Sequence, residues 1–335
     1  MPEPFVSNDG FIGLARQTAS GAGNYVAPSR YLYVDSFDVN PNSEPLIPDP
    51  EIGSSRDIQD NSIRVGAISW SGECSGKLRP DSVGLLVLSA LGGASSSGIS
   101  GDAYGHTFVP TDNCLPLSIT KRVGDQGNPM DVFGYTDAKV NVLRFEAAAG
   151  ELVTFNAEFI AIEERSGKSN QTPTFETGPI FSFVDGEVVL EGTSISLKNI
   201  SVELNNNIVD DDFRIGTRLL ASTVERRRTI TATLDVVPTD ANIFKKTVYS
   251  GTGNTSVSDT QLVYSGSLFL RFESPHTISS QPYSMDVTIP EAVFRTANLP
   301  ISGEDMVMET LEMTAVKQSG VNVMTIVLRN GISSY

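Results

Sequence analysis

Several short stretches of the chain hold residue types that do chemistry. Gly72-Glu73-Cys74-Ser75-Gly76 has the G-x-C-x-G outline of a nucleophile elbow, where a sharp strand-to-helix turn lifts a nucleophile toward its base. That geometry needs a helix at once, yet Lys77-Leu78-Arg79-Pro80 follows, and Pro80 delays any helix. His106 and His276 lie far apart, lack partners at ligand spacing, and read as surface or loop residues. Asp38 to Asp49 opens like a calcium loop, but Ser43 stands where the turn needs glycine and Asp49 where a bidentate glutamate belongs. Asp210-Asp211-Asp212 reads as a solvated acidic turn, and Arg226-Arg227-Arg228 as the start of a strand meeting acidic neighbours. No phosphate loop or dinucleotide fingerprint occurs. The expectation is a chain without a catalytic site, cofactor or metal.

A different kind of chemistry is written in alternation. In residues 147–164, Val153, Phe155, Ala157, Phe159 and Ala161 share one face, while Thr154, Asn156 and Glu158 share the other. Residues 301–318 say nearly the same thing: Val307, Leu311, Met313 and Ala315 oppose Thr310 and Glu312, after a matching Gly-Glu turn at Gly303-Glu304. Such alternation marks half-buried strands. The same rule puts Asp38, Glu146 and Glu158, then Glu203, Asp235, Asp286 and Glu312, on polar strand faces, with Lys139 and Arg144 softening the pattern.

The elements that position these acids are mostly strands, over 30–40, 61–72, 115–123 and 138–147, separated by loops rich in Gly, Ser, Asn and Pro. Residues 81–92 break the pattern: Asp81 and Ser82 offer caps after Pro80, and Gly92 or Gly93 offers a stop, which predicts a short helix. Residues 165–180 carry no apolar period and read as a linker. Beyond it the pattern starts again. Ser36 to Asn40 answers Ser201 to Asn205, the Ile-Gly-Ser-Ser-Arg at 52 answers Ile-Gly-Thr-Arg at 215, and Pro80 answers Pro238. Matches in the same order with steadily shrinking separation are what a duplicated unit with altered loops leaves. The expected organisation is an N-terminal arm (1–27), a first β unit (28–164), a linker (165–180) and a second β unit (181–335), with helices near 81–92 and 239–250.

Composition narrows the function classes. The 24 basic and 40 acidic residues leave a net charge of −16, which repels phosphate backbones and argues against a duplex-gripping role. No run long enough for a membrane helix is present, and Met1 to Gly10 lacks a basic start and an apolar core, so a cytosolic site of synthesis is expected. Cys74 and Cys114 are the only cysteines, which excludes a disulfide framework.

In order along the chain, the stretches 79–93 (RPDSVGLLVLSALGG), 105–120 (GHTFVPTDNCLPLSIT), 138–161 (AKVNVLRFEAAAGELVTFNAEFIA), 201–208 (SVELNNNI) with 213–218 (FRIGTR), and 286–294 (DVTIPEAVF) with 301–306 (ISGEDM) resemble the tail tube proteins of long non-contractile-tailed bacteriophages. The likeness spans about residues 60 to 330 and rests on structural motifs. It implies a mainly β fold of two tandem tail-tube-type sandwich or barrel units, each with a short flanking helix. In that family six units form a ring whose inner strands make a barrel, and rings stack into a tube around a tape measure protein and end at a tail terminator. A chain with two units then needs three copies per ring, pseudo-sixfold. Four strands from each unit give about 24 per ring and a backbone circle roughly 45 to 50 Å across. The resemblance implies a structural virion protein of the tail, assembled in the host cytoplasm, with no enzyme activity and no membrane partner. Phage DNA passes through its lumen without specific binding, and the acids named above are candidates to line it. The alternative is a soluble two-domain β module that binds a glycan or host surface, which exposed loop aromatics would favour; Trp70 instead falls within a predicted strand.

Overall fold

The computed structural model describes residues 9–19, 21, 23–49, 57–127, 129–257, 259, 262–301 and 306–335. The Gly303-Glu304 turn and the stretch at 52–56 lie outside them. The described residues are mainly β. The first set of elements is β1 (Phe11–Arg16), β2 (Arg30–Leu32), β3 (Ser36–Ser43), β4 (Ile68–Lys77), α1 (Gly84–Leu91), β5 (Gly92–Ser100), β6 (Ala103–Pro110), β7 (Leu117–Gly124), β8 (Pro129–Ala148), β9 (Thr154–Ala161) and β10 (Glu163–Arg165). The second is β11 (Gly186–Leu190), β12 (Thr193–Ser194), β13 (Leu197–Asn205), β14 (Thr229–Val236), α2 (Asn242–Tyr249), β15 (Ser265–Ile278), β16 (Gln281–Asn298), β17 (Glu309–Ala315) and β18 (Thr325–Asn330).

The pairings of the two sets run in the same order. In the first, β1 pairs with β2 and β7, β3 with β4, β4 with β9, and β8 with β7, β9 and β10. In the second, β11 pairs with β12 and β15, β13 with β14, β14 with β17, and β16 with β15, β17 and β18. All are antiparallel. The long strands β8 and β16 each carry a bulge, between Val140 and Val142 and between Phe294 and Thr296, and each changes from one set of partners to the other just before it. The N-terminal segment expected as an arm contributes β1, six residues paired along β7. Past Arg165, the end of β10, the expected linker has no regular element but packs on the first set: the Lys168 N–H reaches the Val132 carbonyl at 3.0 Å, and Phe175 stacks on Tyr33 at 4.6 Å.

Two long segments between the strands expected from the sequence contain strands of their own. Residues 93–114 form most of the β5–β6 hairpin, which has no counterpart among the described residues of the second set, and β6 pairs with β18 of its own chain. Residues 129–137 supply the first half of β8, which is paired with β7.

The main core runs between the layers, built from alternating residues such as Leu143, Phe145, Phe155, Ala157 and Phe159, matched by Leu234, Met285, Val287, Leu311 and Met313. Helix α1 is buried along its whole length. Its Ser89 hydroxyl donates to the Leu115 carbonyl at 2.8 Å. Gly92 ends it at φ 91°, where a Cβ would lie 2.0 Å from Thr111 Oγ1. The start differs from expectation: neither Asp81 nor Ser82 caps it, and the buried Asp81 carboxylate instead accepts the Gly331 N–H at 3.0 Å. Burial pushes that carboxyl above the usual range. Helix α2 is half-exposed and lies against β16.

Candidate functional site

Eight strands join the two sets into one continuous sheet, ordered β3-β4-β9-β8-β13-β14-β17-β16. Four come from each set. The junction is β8–β13, with Val142 opposite Asn205, Arg144 opposite Glu203 and Glu146 opposite Ser201. Because side chains alternate along each strand, one face of this sheet points into the core and the other collects the polar residues.

The register decides which acids share that outer face. Asp38 lies across from Glu73, Glu73 from Glu158, Glu146 from Ser201, Ser201 from Thr233, and Thr233 from Glu312. Glu203 lies beside Ser201 in the same alternation, and Asp235 lies opposite Thr310. The face therefore brings together Asp38, Glu146, Glu158, Glu203, Asp235 and Glu312. It does not include Asp286, which sits in the first half of β16, in the other layer, paired by both carboxylate oxygens with Arg271 at 2.8 Å. Glu73 joins the face although the sequence offered it only as part of the Gly-x-Cys motif; its alternation with buried Cys74 was the available signal.

The acids are held by short-range partners. Arg144 donates to Glu203 across the junction and lies 3.8 Å from Glu146. The hydrogen bond with Glu203 is the first cause that raises the guanidinium pKa further. Asn40 donates to Asp38 at 2.6 Å, Asn156 to Glu73 at 3.0 Å, and Thr310 to Asp235 at 2.8 Å. Lys77, at the margin, pairs with Asp35 at 3.3 Å. Lys139, expected to soften this face, is withdrawn from it: its ammonium is mostly buried and donates to Glu225 and to the Thr223 carbonyl, each at 2.8 Å. The face is acidic and open, with a shallow hollow beside Glu73 and Glu158, so it suits exclusion of a polyanion better than grip.

The other chemistry-bearing residues are placed structurally. Cys74 is fully buried in mid-strand, and burial pushes its thiol up to about 12; Cys114 is pushed up to about 11 for the same reason. Neither supplies a thiolate near neutral pH. His106, expected on a surface or loop, is fully buried in β6. Its Nδ1 accepts from the Ser96 hydroxyl at 2.7 Å, and its Nε2–H reaches Asn330 Oδ1 at 3.0 Å and the Ile332 carbonyl at 2.8 Å. Burial lowers its pKa, favouring this neutral tautomer. Residues 38–43 are strand rather than loop, and Asp212 pairs with Arg214 at 2.9 Å. Trp70 is buried in β4. Arg228 donates to Asn206 at 2.8 Å and to the Thr111 carbonyl at 2.9 Å.

The family model described as phage tail tube protein matches residues 7–315. No curated protein matches the chain.

Proposed function

We propose that this chain, which belongs to the phage tail tube protein family, is a two-unit subunit whose copies close in threes into rings that stack as the tail tube, with the acidic face of the eight-stranded sheet turned toward the lumen. Membership makes the chain a structural component of the tail; the ring, its stoichiometry and the lumen assignment are our reading. The observation that carries it is the shared sheet. Four strands from each set lie side by side, so three copies contribute about 24 strands, enough for a barrel roughly 45 to 50 Å across. An even number of antiparallel strands per chain also lets the alternation continue from one copy to the next.

The units are read as a duplication from the repeated order of pairings, with 28–164 joined by β1 as the first and 181–335 as the second. The lumen face follows from charge. Phosphates moving past Glu158, Glu312, Asp38 and Glu203 meet like charge, whereas lysines there would form contacts that release counterions and hold the duplex. Asp286, neutralised by Arg271 on the other layer, is not part of this proposal. The tape measure protein and tail terminator are the partners this role calls for, with DNA passing unbound and assembly in the host cytoplasm.

Electron microscopy of the purified chain tests the assembly: rings or tubes with a threefold repeat are expected, and a monodisperse single chain at every concentration sinks the reading. The lumen is tested by Glu158→Lys with Glu312→Lys, expected to leave tubes intact but make them retain DNA at low salt and release it as salt rises. Tubes that bind no more DNA than the parent would refute the face assignment.

A further inference from the structure

The two sets of strands differ in one respect that bears on how copies meet. In the first set, the edge of β8 beyond β7 is occupied by β13, from Val142 to Ala148. In the second, β16 loses β15 after Val293, and from Thr296 to Asn298 it is paired only with β17. β3, which stands where β13 stands in the other set, is paired among the described residues only with β4 and is exposed along most of its length. The sheet thus ends in two open edges, and each is the counterpart of one side of a junction already formed inside the chain. Pro41 lies on the β3 edge, a position that tolerates a residue without an N–H.

The ladders fix the correspondence residue by residue. Glu158 lies opposite Glu73, and Glu73 opposite Asp38; Glu312 lies opposite Thr233, and Thr233 opposite Ser201. Asp38 therefore corresponds to Ser201, and Asn40 to Glu203. On the other side, Glu158 lies opposite Val142 and Glu312 opposite Thr296, each next to the bulge. Arg144 therefore corresponds to Asn298.

We propose that the β8–β13 junction is the template for the contact between copies: β3 of one chain adds antiparallel to the end of β16 of a second copy, with Asn40 opposite Asn298 and Asn42 opposite Thr296. This rests on the ring reading above and specifies its seam. The Arg144–Glu203 ion pair of the inner junction is replaced at the seam by two asparagines, facing the same polar side. Register is set tightly here because Val39 is held in the core by pairing with β4, so a slip of one residue at the seam would lay outward-facing side chains of β3 against inward-facing ones of β16.

Directly opposed side chains in an antiparallel pair are close enough to bridge, whereas neighbours one residue off point to opposite faces. The test is oxidation of the full chain carrying Asn40→Cys with Asn298→Cys, beside the offset pair Asn40→Cys with Ala297→Cys, both checked by microscopy for rings. Buried Cys74 and Cys114 serve as the silent background. The matched pair is expected to give disulfide-linked species ending at three chains, with a yield roughly tenfold above the offset pair. Where the double variant does not assemble, a mixture of the two single variants is used, and linked dimers are expected. Rings in which the offset pair links as well as the matched one, or in which neither links, overturn the register and leave the ring reading standing. Absence of rings in the parent overturns both.

Discussion

Glu309 opens β17 on its apolar side, where alternation calls for a residue like Leu311 or Met313. It is fully buried, and neither carboxylate oxygen has a hydrogen-bond partner among the described residues. Burial, with the charge of Asp240 added, pushes its pKa up to about 7. The sign of the consequence is fixed by linkage. Below about 4.5 the carboxyl is protonated in both states and costs nothing extra; from there to about 7 the unfolded chain releases the proton while the folded chain keeps it, so stability falls as pH rises, and the loss levels off above about 7. A displacement of that size is worth on the order of 3 kcal/mol. For a chain of 335 residues this corresponds to roughly 4 °C in Tm. Glu309→Gln keeps the shape and removes the ionisation. Thermal unfolding of the unassembled chain from pH 5 to 8 should show the two proteins converging at the acid end and the variant melting higher at the alkaline end. Using the difference between them cancels the general repulsion of a −16 chain. If the gap between parent and variant is the same at pH 5 and pH 8, the assignment of a strained, ionising Glu309 is wrong.

Other consequences follow from named contacts. A Cβ on Gly84 would sit 2.1 Å from the Tyr335 ring, so Gly84→Ala should cost about 1 to 3 kcal/mol in chemical denaturation, and much less in a Tyr335→Ala background. His106→Phe removes the partner of Ser96 and Asn330 and should cost about 2 to 3 kcal/mol by the same assay. The neutral imidazole also stabilises the parent above its ordinary pKa, a contribution lost as pH falls through and below about 6.5, and absent in the variant. Cys74 and Cys114 should resist a thiol reagent at pH 8 until the chain is unfolded; fast reaction of the native protein would contradict their burial. Asn298→Arg with Asn40→Glu, which copies the inner ion pair into the proposed seam, should shift assembly to lower protein concentration, more so at low salt; no shift would count against the register.

What the sequence disclosed and what it withheld divide along a physical line. Alternation located the strands of the polar face and even their facing acids, because a period of two is a local property. It does not say that β16 changes partners midway, from β15 to β17, which puts Asp286 apart from the other acids. Matching Ser36 to Ser201 by letters was two residues off: the ladders pair Asp38 with Ser201 in role, a slip that preserves the face and so escaped the pattern. His106 lies beside Asn330, 224 residues away in sequence, and no local signal foretold that contact. Glu309 was legible as a break in alternation, yet a lone acid on an apolar face is easily read past. The short helix was recognised from its stop at Gly92, while its supposed cap, Asp81, was claimed by a long-range partner, Gly331.

The pairing of β6 with β18 also sets a timetable. Tyr104 to Phe108 leave the ribosome long before Ile326 to Asn330, which complete their ladder and supply the partners of His106. At ordinary rates of synthesis, of about 5 to 20 residues per second, the gap is roughly 10 to 45 s. Throughout it, one edge of β6 stands open while the first set is otherwise able to form. The other edge is covered by β5, whose run of Gly93 to Gly98 is almost wholly glycine, alanine and serine and exposed. An outermost strand with so little apolar side chain gives a neighbouring nascent chain little to adhere to. The hairpin thus offers an unattractive outer edge during translation, while its inner edge waits for β18 to complete the ladder.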